Sequence, residues 1–235
     1  MIICTTITAT TITTMTDIAA SNDLVRLMSW LSPAFPTGGF SYSHGLEQAV
    51  EDGLVHDADT LNHWLETLLL HGAIHSDGVL LAATWRTVCE GNDPTDLVEL
   101  AEALAGSAER HLEQMAQGRA FVDAAQPWLD DSKPPQNCAL SVAVGWVAGA
   151  QKVNLQGTLT AYLHAFISNQ IQVALRLFSL GQQAGVTVLQ ALEAPIVAAA
   201  EKASNSSLDD LGSAAIISEI CAMRHETLGG RVFRT

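Results

Sequence analysis

The sequence predicts an all-α protein, a single-domain helical bundle of roughly ten helices. Apolar residues recur at helical spacing along most of the chain, whereas no segment sustains strand-like alternation between Gly or Asn turns. Hydrophobic residues make up 48% of the 235 positions and charged residues 15%, which is enough to bury a sizeable core. Capping residues and Gly or Pro stops fall at the ends of the periodic segments.

Residues 1–21 read as a Thr-rich, flexible leader. Eight of the first sixteen residues are Thr and the first Lys or Arg is Arg26, so the positive start of an export signal is missing. Asn22 or Asp23 caps a helix carrying Leu24, Val25, Leu27, Met28 and Leu31, and Ser32-Pro33 stops it because the residue before proline resists helical geometry. After the loop PAFPTGGF comes a short helix from Leu46 to Asp52-Gly53. Asp57 or Asp59 then caps a stronger one with Leu61, Trp64, Leu65, Leu68 and Leu69 on its core face.

Gly72 and Gly78 interrupt the chain before a helical run over 79–88, and Asp93-Pro94 starts the next helical region, which extends to about Leu129 with a break at Gly106-Ser107. The string DDSKPP at 130–135 is a linker. Beyond it the periodicity predicts helices over 139–152, 158–180, 187–203 and 208–224, with Thr158 and Ser207 as caps and Asp210 completing an S-x-x-D signature. Gly145 and Gly149 make a small-xxx-small pair, which serves either tight core packing or contact with another copy.

Eleven Lys and Arg against 25 Asp and Glu give a formal charge of −14, which removes the basic footprint of a nucleic-acid binder and disfavours an anionic membrane. The longest apolar stretch, residues 139–150, is well short of the roughly 20 residues that span a bilayer. Four cysteines without a CxxC spacing indicate neither a disulfide framework nor a thiolate zinc site and point to a reducing, cytoplasmic setting.

No catalytic constellation stands out. The G-x-x-x-x-G-K-[ST] phosphate loop, G-x-S-x-G and H-E-x-x-H are all missing, so nothing in the sequence marks an enzyme. His71 and His75, read as four apart on one helix with Asp77 near by, are the one candidate metal pair, against the plainer reading of histidines at a core edge. The carboxylate pairs Glu51-Asp52 and Asp130-Asp131 read as solvated or capping groups.

Three other features are less ordinary. SPAFPTGGFSYSHGLE, residues 32–47, is a Pro- and Gly-bearing loop with Phe35, Phe40 and Tyr42, built to pack as a plug or to bind. Asn169, Gln172 and Arg176 share one face of the apolar helix over 158–180, as a solvated stripe or a recognition surface. The tail MRHETLGGRVFRT, residues 223–235, holds Arg224, Arg231 and Arg234 and the last aromatic residue, Phe233, around Gly229-Gly230. It is either a frayed terminus or a cationic arm.

These strings together resemble the UreF family of urease accessory proteins. SPAFPTGGFSYSHGLE is similar to the family's N-terminal signature, YLHAFISNQIQVALRLFSLGQ to its long helix ending in R-L-x-P-L-G-Q, and MRHETLGGRVFRT to its H-E-T-x-x-x-R-L-F-R-S tail, with weaker likeness at EQMAQGRAF. The resemblance covers about residues 22–235. Ser179 stands where the family has proline, Leu228-Gly229-Gly230 replaces a more polar and aromatic stretch, and Val232 and Thr235 replace Leu and Ser.

The resemblance implies an all-helical, dimeric protein that is not an enzyme and works in urease maturation. It implies an adaptor and GTPase regulator that binds UreD (also called UreH), recruits the GTPase UreG and serves nickel insertion into apo-urease. No cofactor is then bound stably, and nickel is handled by the assembled complex. The partner-binding residues expected on this basis are Asn169, Gln172 and Arg176 together with His225, Glu226, Arg231, Phe233 and Arg234. Residues 22–224 would form the helical domain, and 225–235 an interaction tail that is poorly ordered until UreD binds. The alternative is a nickel-carrying metallochaperone using His71 and His75.

Overall fold

The computed structural model describes residues 20–129 and 132–235. The Thr-rich leader, apart from its last two residues, and Asp130-Asp131 of the linker lie outside them. Among the described residues there are eleven α-helices and no strand. They are α1 (20–30), α2 (Leu46–Glu51), α3 (Ala58–His71), α4 (Ala73–Cys89), α5 (Thr95–Ala103), α6 (Ala108–Ala125), α7 (Leu140–Ala150), α8 (Leu155–Leu177), α9 (Gln182–Ala191), α10 (Glu193–Asn205) and α11 (Ile216–His225). No single helix among the described residues is long and apolar enough to cross a membrane.

The centre of the bundle is the pair α4 and α7. A Cβ on Gly145 would lie 2.5 Å from the Leu81 carbonyl oxygen, and one on Gly149 would lie 2.9 Å from that of Trp85. The small pair therefore brings two helix backbones together inside the core. Around them one continuous apolar cluster runs from Leu27 on α1 to Phe233 in the tail.

Local chemistry sets the helix starts. Asp57 forms a capping box with Thr60, Ser107 accepts from the Arg110 N–H at 3.1 Å, and Asn154 accepts from the Gly157 N–H at 2.8 Å. Asn154, not Thr158, is thus the cap of α8, and Thr158 turns its hydroxyl back to the Asn154 carbonyl oxygen. The Ser207–Asp210 capping box is present but closes a single 3-10 turn, and α11 starts only at Ile216. The helix expected over 187–203 is two, α9 and α10, bent by 43° at Leu192. Pro195 accounts for the break, since it lacks an N–H and would clash with the carbonyl four residues back.

Two further expectations change. Gly72 separates α3 from α4, and Gly78 lies within α4, where its missing side chain admits Ala203. On α1 only Leu27 of the apolar set is buried, while Leu24 and Met28 are 59% and 67% exposed. That face borders a groove shared with α8 and α10.

Candidate functional site

The loop over 32–47, α8 and the tail, far apart in sequence, pack on one another. In the loop, Phe35 faces inward against Phe121 and Trp128, with ring centroids 5.4 and 6.3 Å apart. Phe40 points outward and is 68% exposed, so the same loop both plugs the core and presents a ring at the surface. Gly45, at φ +75°, lies so close to α11 that a Cβ would be 2.7 Å from the Ala222 nitrogen.

The tail lies back over this loop. The Arg234 N–H donates to the Ser41 carbonyl oxygen at 2.8 Å and the Ser43 N–H to that of Thr235 at 2.8 Å, so two short stretches of backbone are paired. Glu47 on α2 is the principal acceptor. Its carboxylate takes the Val232 N–H at 2.7 Å and the Phe233 N–H at 2.9 Å, and lies 3.1 Å from Nε2 of His225. On the other side of that fully buried ring, Nδ1 is 2.7 Å from Glu109, which also pairs with Arg231. A buried carboxylate needs such partners to offset its lost hydration.

Beneath the tail a second charged cluster connects α4, α6 and α8. Arg110 bridges Asp77 and Glu113, Gln114 donates to Asp77 at 3.1 Å, and the Tyr162 hydroxyl reaches Asp77 at 3.4 Å. Glu113 also faces His44 at 2.7 Å and accepts from the Thr235 hydroxyl at 3.2 Å. Burial pushes the Glu113 carboxyl up, but His44, Arg110 and the Thr235 hydroxyl outweigh it and hold it below the ordinary carboxylate range. Burial opposes the charge of Arg110, yet Asp77 and Glu113 more than compensate and raise its pKa. The Tyr162 phenol is raised well above its ordinary value by burial, with the charge of Asp77 adding to it.

The structure places all eight of the sequence-derived partner residues around this seat. Asn169 donates to the carbonyl oxygens of Gly39 and Tyr42, at 3.2 and 3.5 Å. Arg176 donates to the Phe40 carbonyl oxygen at 3.3 Å and stacks on the Phe233 ring, 4.3 Å from its centroid. Gln172 lies exposed between them. Glu226 accepts from the Ala108 N–H at 2.9 Å, at the start of α6. Arg231 and Arg234 are exposed, whereas His225 and Phe233 are buried.

The expectation of a free arm is therefore corrected. Phe233 is only 4% exposed, and Gly230, at φ +77°, lets the chain turn back rather than merely loosening it. Glu47, Glu109 and Arg176 supply contacts that offset the entropy of ordering the segment. Helix periodicity carries no sign of Glu47, His44, Asp77, Glu109, Arg110 or Glu113. The position of His44 and Glu47 inside the loop string, and of Glu113 at the start of EQMAQGRAF, could have singled out those three, while Asp77 drew notice only beside the candidate metal pair.

The candidate metal pair is not assembled as expected. His71 ends α3 and His75 lies in α4 beyond the Gly72 break, so the two do not share one helix. Asp77 is engaged by Arg110, Gln114 and Tyr162. Among the described residues no three His, Cys, Asp or Glu side chains gather as a metal set.

Beside the tail runs a groove of about 1190 Å³ between α1, α8 and α10. Leu24, Met28, Phe40 and Val197 give it apolar walls, and Asn169, Gln172 and Arg176 line it as well. The polar stripe of α8 thus meets both the groove and the tail.

The segments brought together here are those of the family resemblance, and comparison with known proteins agrees. The family model for UreF matches residues 55–193. The chain belongs to the UreF family. The urease accessory protein UreF of Mesorhizobium japonicum is 49% identical over 223 residues, covering 94% of this chain and 100% of the relative. UreF 1 of Brucella anthropi is 49% identical over 225 residues, covering 95% and 98%, and UreF of Brucella ovis is 50% identical over 215 residues, covering 90% and 94%. The similarity to these UreF proteins extends beyond residues 55–193 and takes in most of the loop, α8 and tail seat.

Proposed function

We propose that this chain acts in urease maturation as a non-catalytic, cytoplasmic adaptor. It bridges UreD (UreH) and the GTPase UreG and regulates GTP hydrolysis during nickel insertion into apo-urease. Nickel is cargo of the assembled complex, and the chain itself holds no stable cofactor. The observation that carries this reading is the convergence of the loop, the α8 stripe and the tail into one ordered surface, with Arg176 joining all three. A preformed surface lowers the ordering cost a partner must meet. Exposed Arg231 and Arg234 around it suit carboxylates or carbonyls on the partner.

The apolar groove supports a homodimer. Its walls on α1, Phe40 and α10 expose large side chains, and a two-fold pairing would bury the same patch on both copies at once.

Co-expression of the chain with UreD, UreG and apo-urease, followed by affinity purification, GTP turnover and urease activation, tests the adaptor role. A ternary complex whose loss parallels loss of activation is the expected result. Full urease activation without the chain would overturn it. Sedimentation equilibrium checks the dimer, which Met28→Glu should convert to monomer.

A further inference from the structure

Phe40 is shared by the groove and the tail seat. Its exposed ring stands in the groove wall with Asn169 and Arg176, while the backbone just after it is strapped down by the tail. The Arg234 N–H donates to the Ser41 carbonyl oxygen and the Ser43 N–H to that of Thr235, both at 2.8 Å. Arg176 is engaged on both sides too, with Nη1 on the Phe40 carbonyl oxygen and its guanidinium over the Phe233 ring. Among the described residues lining the groove, none belongs to the tail, 226–235.

The tail therefore reaches the groove through residues that the two share. With the tail lifted, the Ser41 carbonyl oxygen and the Ser43 N–H lose these partners, and Arg176 loses the ring beneath it. The wall at Phe40 then keeps its 3-10 turn and its bonds to Asn169 and Arg176, but not the strap across 41–43. Packing against a loosened wall costs more than packing against one already fixed, because the loop must be ordered in the same step.

We propose that docking of the tail and occupation of the groove by a second copy of this chain are coupled, each strengthening the other. The coupling rests on the homodimer reading above and adds its regulation. A ligand shifts an equilibrium only by its differential affinity for two states, and here the states differ in the wall at Phe40, fixed with the tail down and loosened with it up. The effect is reciprocal. The factor by which the docked tail tightens the dimer equals the factor by which the dimer favours the docked tail.

Glu47→Gln tests this from the far side. Glu47 accepts the Val232 and Phe233 N–H groups but does not line the groove, so the substitution weakens the hold on the tail without altering a groove wall. Sedimentation equilibrium of the full chain, with amide exchange at 232–235 measured on the same samples, reads both quantities. The expected result is faster tail exchange together with a dimer dissociation constant raised by up to about tenfold, a typical coupling. In the parent chain, tail protection should rise as concentration passes through the dimerisation range, and Met28→Glu should hold it at the monomer level. Faster tail exchange with an unchanged dissociation constant, or parent protection independent of concentration while dimers form, would overturn the coupling and leave the homodimer standing. A parent chain that stays monomeric at every concentration overturns the homodimer reading and the coupling with it. If Glu47→Gln leaves the tail docked, deletion of 231–235, with circular dichroism confirming the helical fold, takes its place, and an unchanged dissociation constant there overturns the coupling as well.

Discussion

The guanidinium of Arg176 lies over the ring of Phe233, 4.3 Å from its centroid, and its Nη1 donates to the Phe40 carbonyl oxygen. One exposed side chain on α8 therefore holds both the tail and the signature loop. A residue chosen as a recognition group has an internal task too, and its substitution acts on both.

Arg176→Ala removes a cation–π contact worth about 0.5–2 kcal/mol and a charge-assisted hydrogen bond. Thermal unfolding should shift down modestly, and amide exchange should accelerate at 232–235 before it does in α4 or α7. Arg176→Lys keeps the charge but loses the planar stack and should recover only part of the protection. Unchanged exchange at the tail in both variants would show that Arg176 does not hold it.

Glu47 accepts two tail N–H groups, one of them from the buried Phe233, and faces the buried ring of His225. Glu47→Ala should destabilise the chain by about 3–5 kcal/mol, because it strands a buried histidine and two backbone donors. Glu47→Gln should cost less, since the amide oxygen still accepts but its NH2 opposes the donors. Chemical denaturation with a constant slope is the measurement.

Much of the fold was legible in the sequence, because helices α3 and α6 are written in apolar spacing and in caps that act within a few residues, and α7 and α8 in their apolar residues alone. Pro195 shows how a single residue within a periodic run splits one helix into two. The tail escapes such a reading for a different reason. Glu47 lies 186 positions from Phe233 and Glu109 lies 122 positions from Arg231, and no local period records such pairings. The loop, stripe and tail could each be marked as unusual, but their meeting in one seat is a property of the packing of α2, α6 and α8.

Gly145→Ala should be among the most damaging small substitutions. The added Cβ would lie 2.5 Å from the Leu81 carbonyl oxygen and 3.0 Å from the Thr84 Cβ, both held in the packed centre of the bundle. Pushing α4 and α7 apart should cost about 1–3 kcal/mol despite the better helix propensity of alanine. A melting temperature equal to the parent would mean that the two helices separate freely.

Stability should fall on acidification through Glu113. Its folded-state pKa is depressed below the ordinary value of 4.5, so the unfolded chain takes up the proton first. The stabilisation is therefore fully present above about pH 4.5 and is lost as pH drops through the folded value. The groups facing it are His44, Arg110, Gln117 and Thr235. Glu113→Gln should be less stable than the parent at pH 7 and approach it in acid. A stability difference independent of pH between about 7 and about 3 would contradict this.

Docking of the tail and recognition by a partner are separable at Phe233 and Arg234. Phe233 is buried beneath Arg176, whereas Arg234 contributes its backbone N–H to Ser41 and leaves its guanidinium at the surface. Phe233→Ala removes a buried ring and should cost about 3 kcal/mol or more, with tail protection and partner capture lost together. Arg234→Ala keeps the backbone bond and should leave stability within about 0.5 kcal/mol, as surface substitutions do. If the docked tail is the surface that UreD or UreG reads, Arg234→Ala should weaken co-purification of one of them while amide protection at 232–235 stays at the parent level. Retained co-purification in Arg234→Ala, with loss only in Phe233→Ala, would assign the tail a purely structural role and move recognition to the groove.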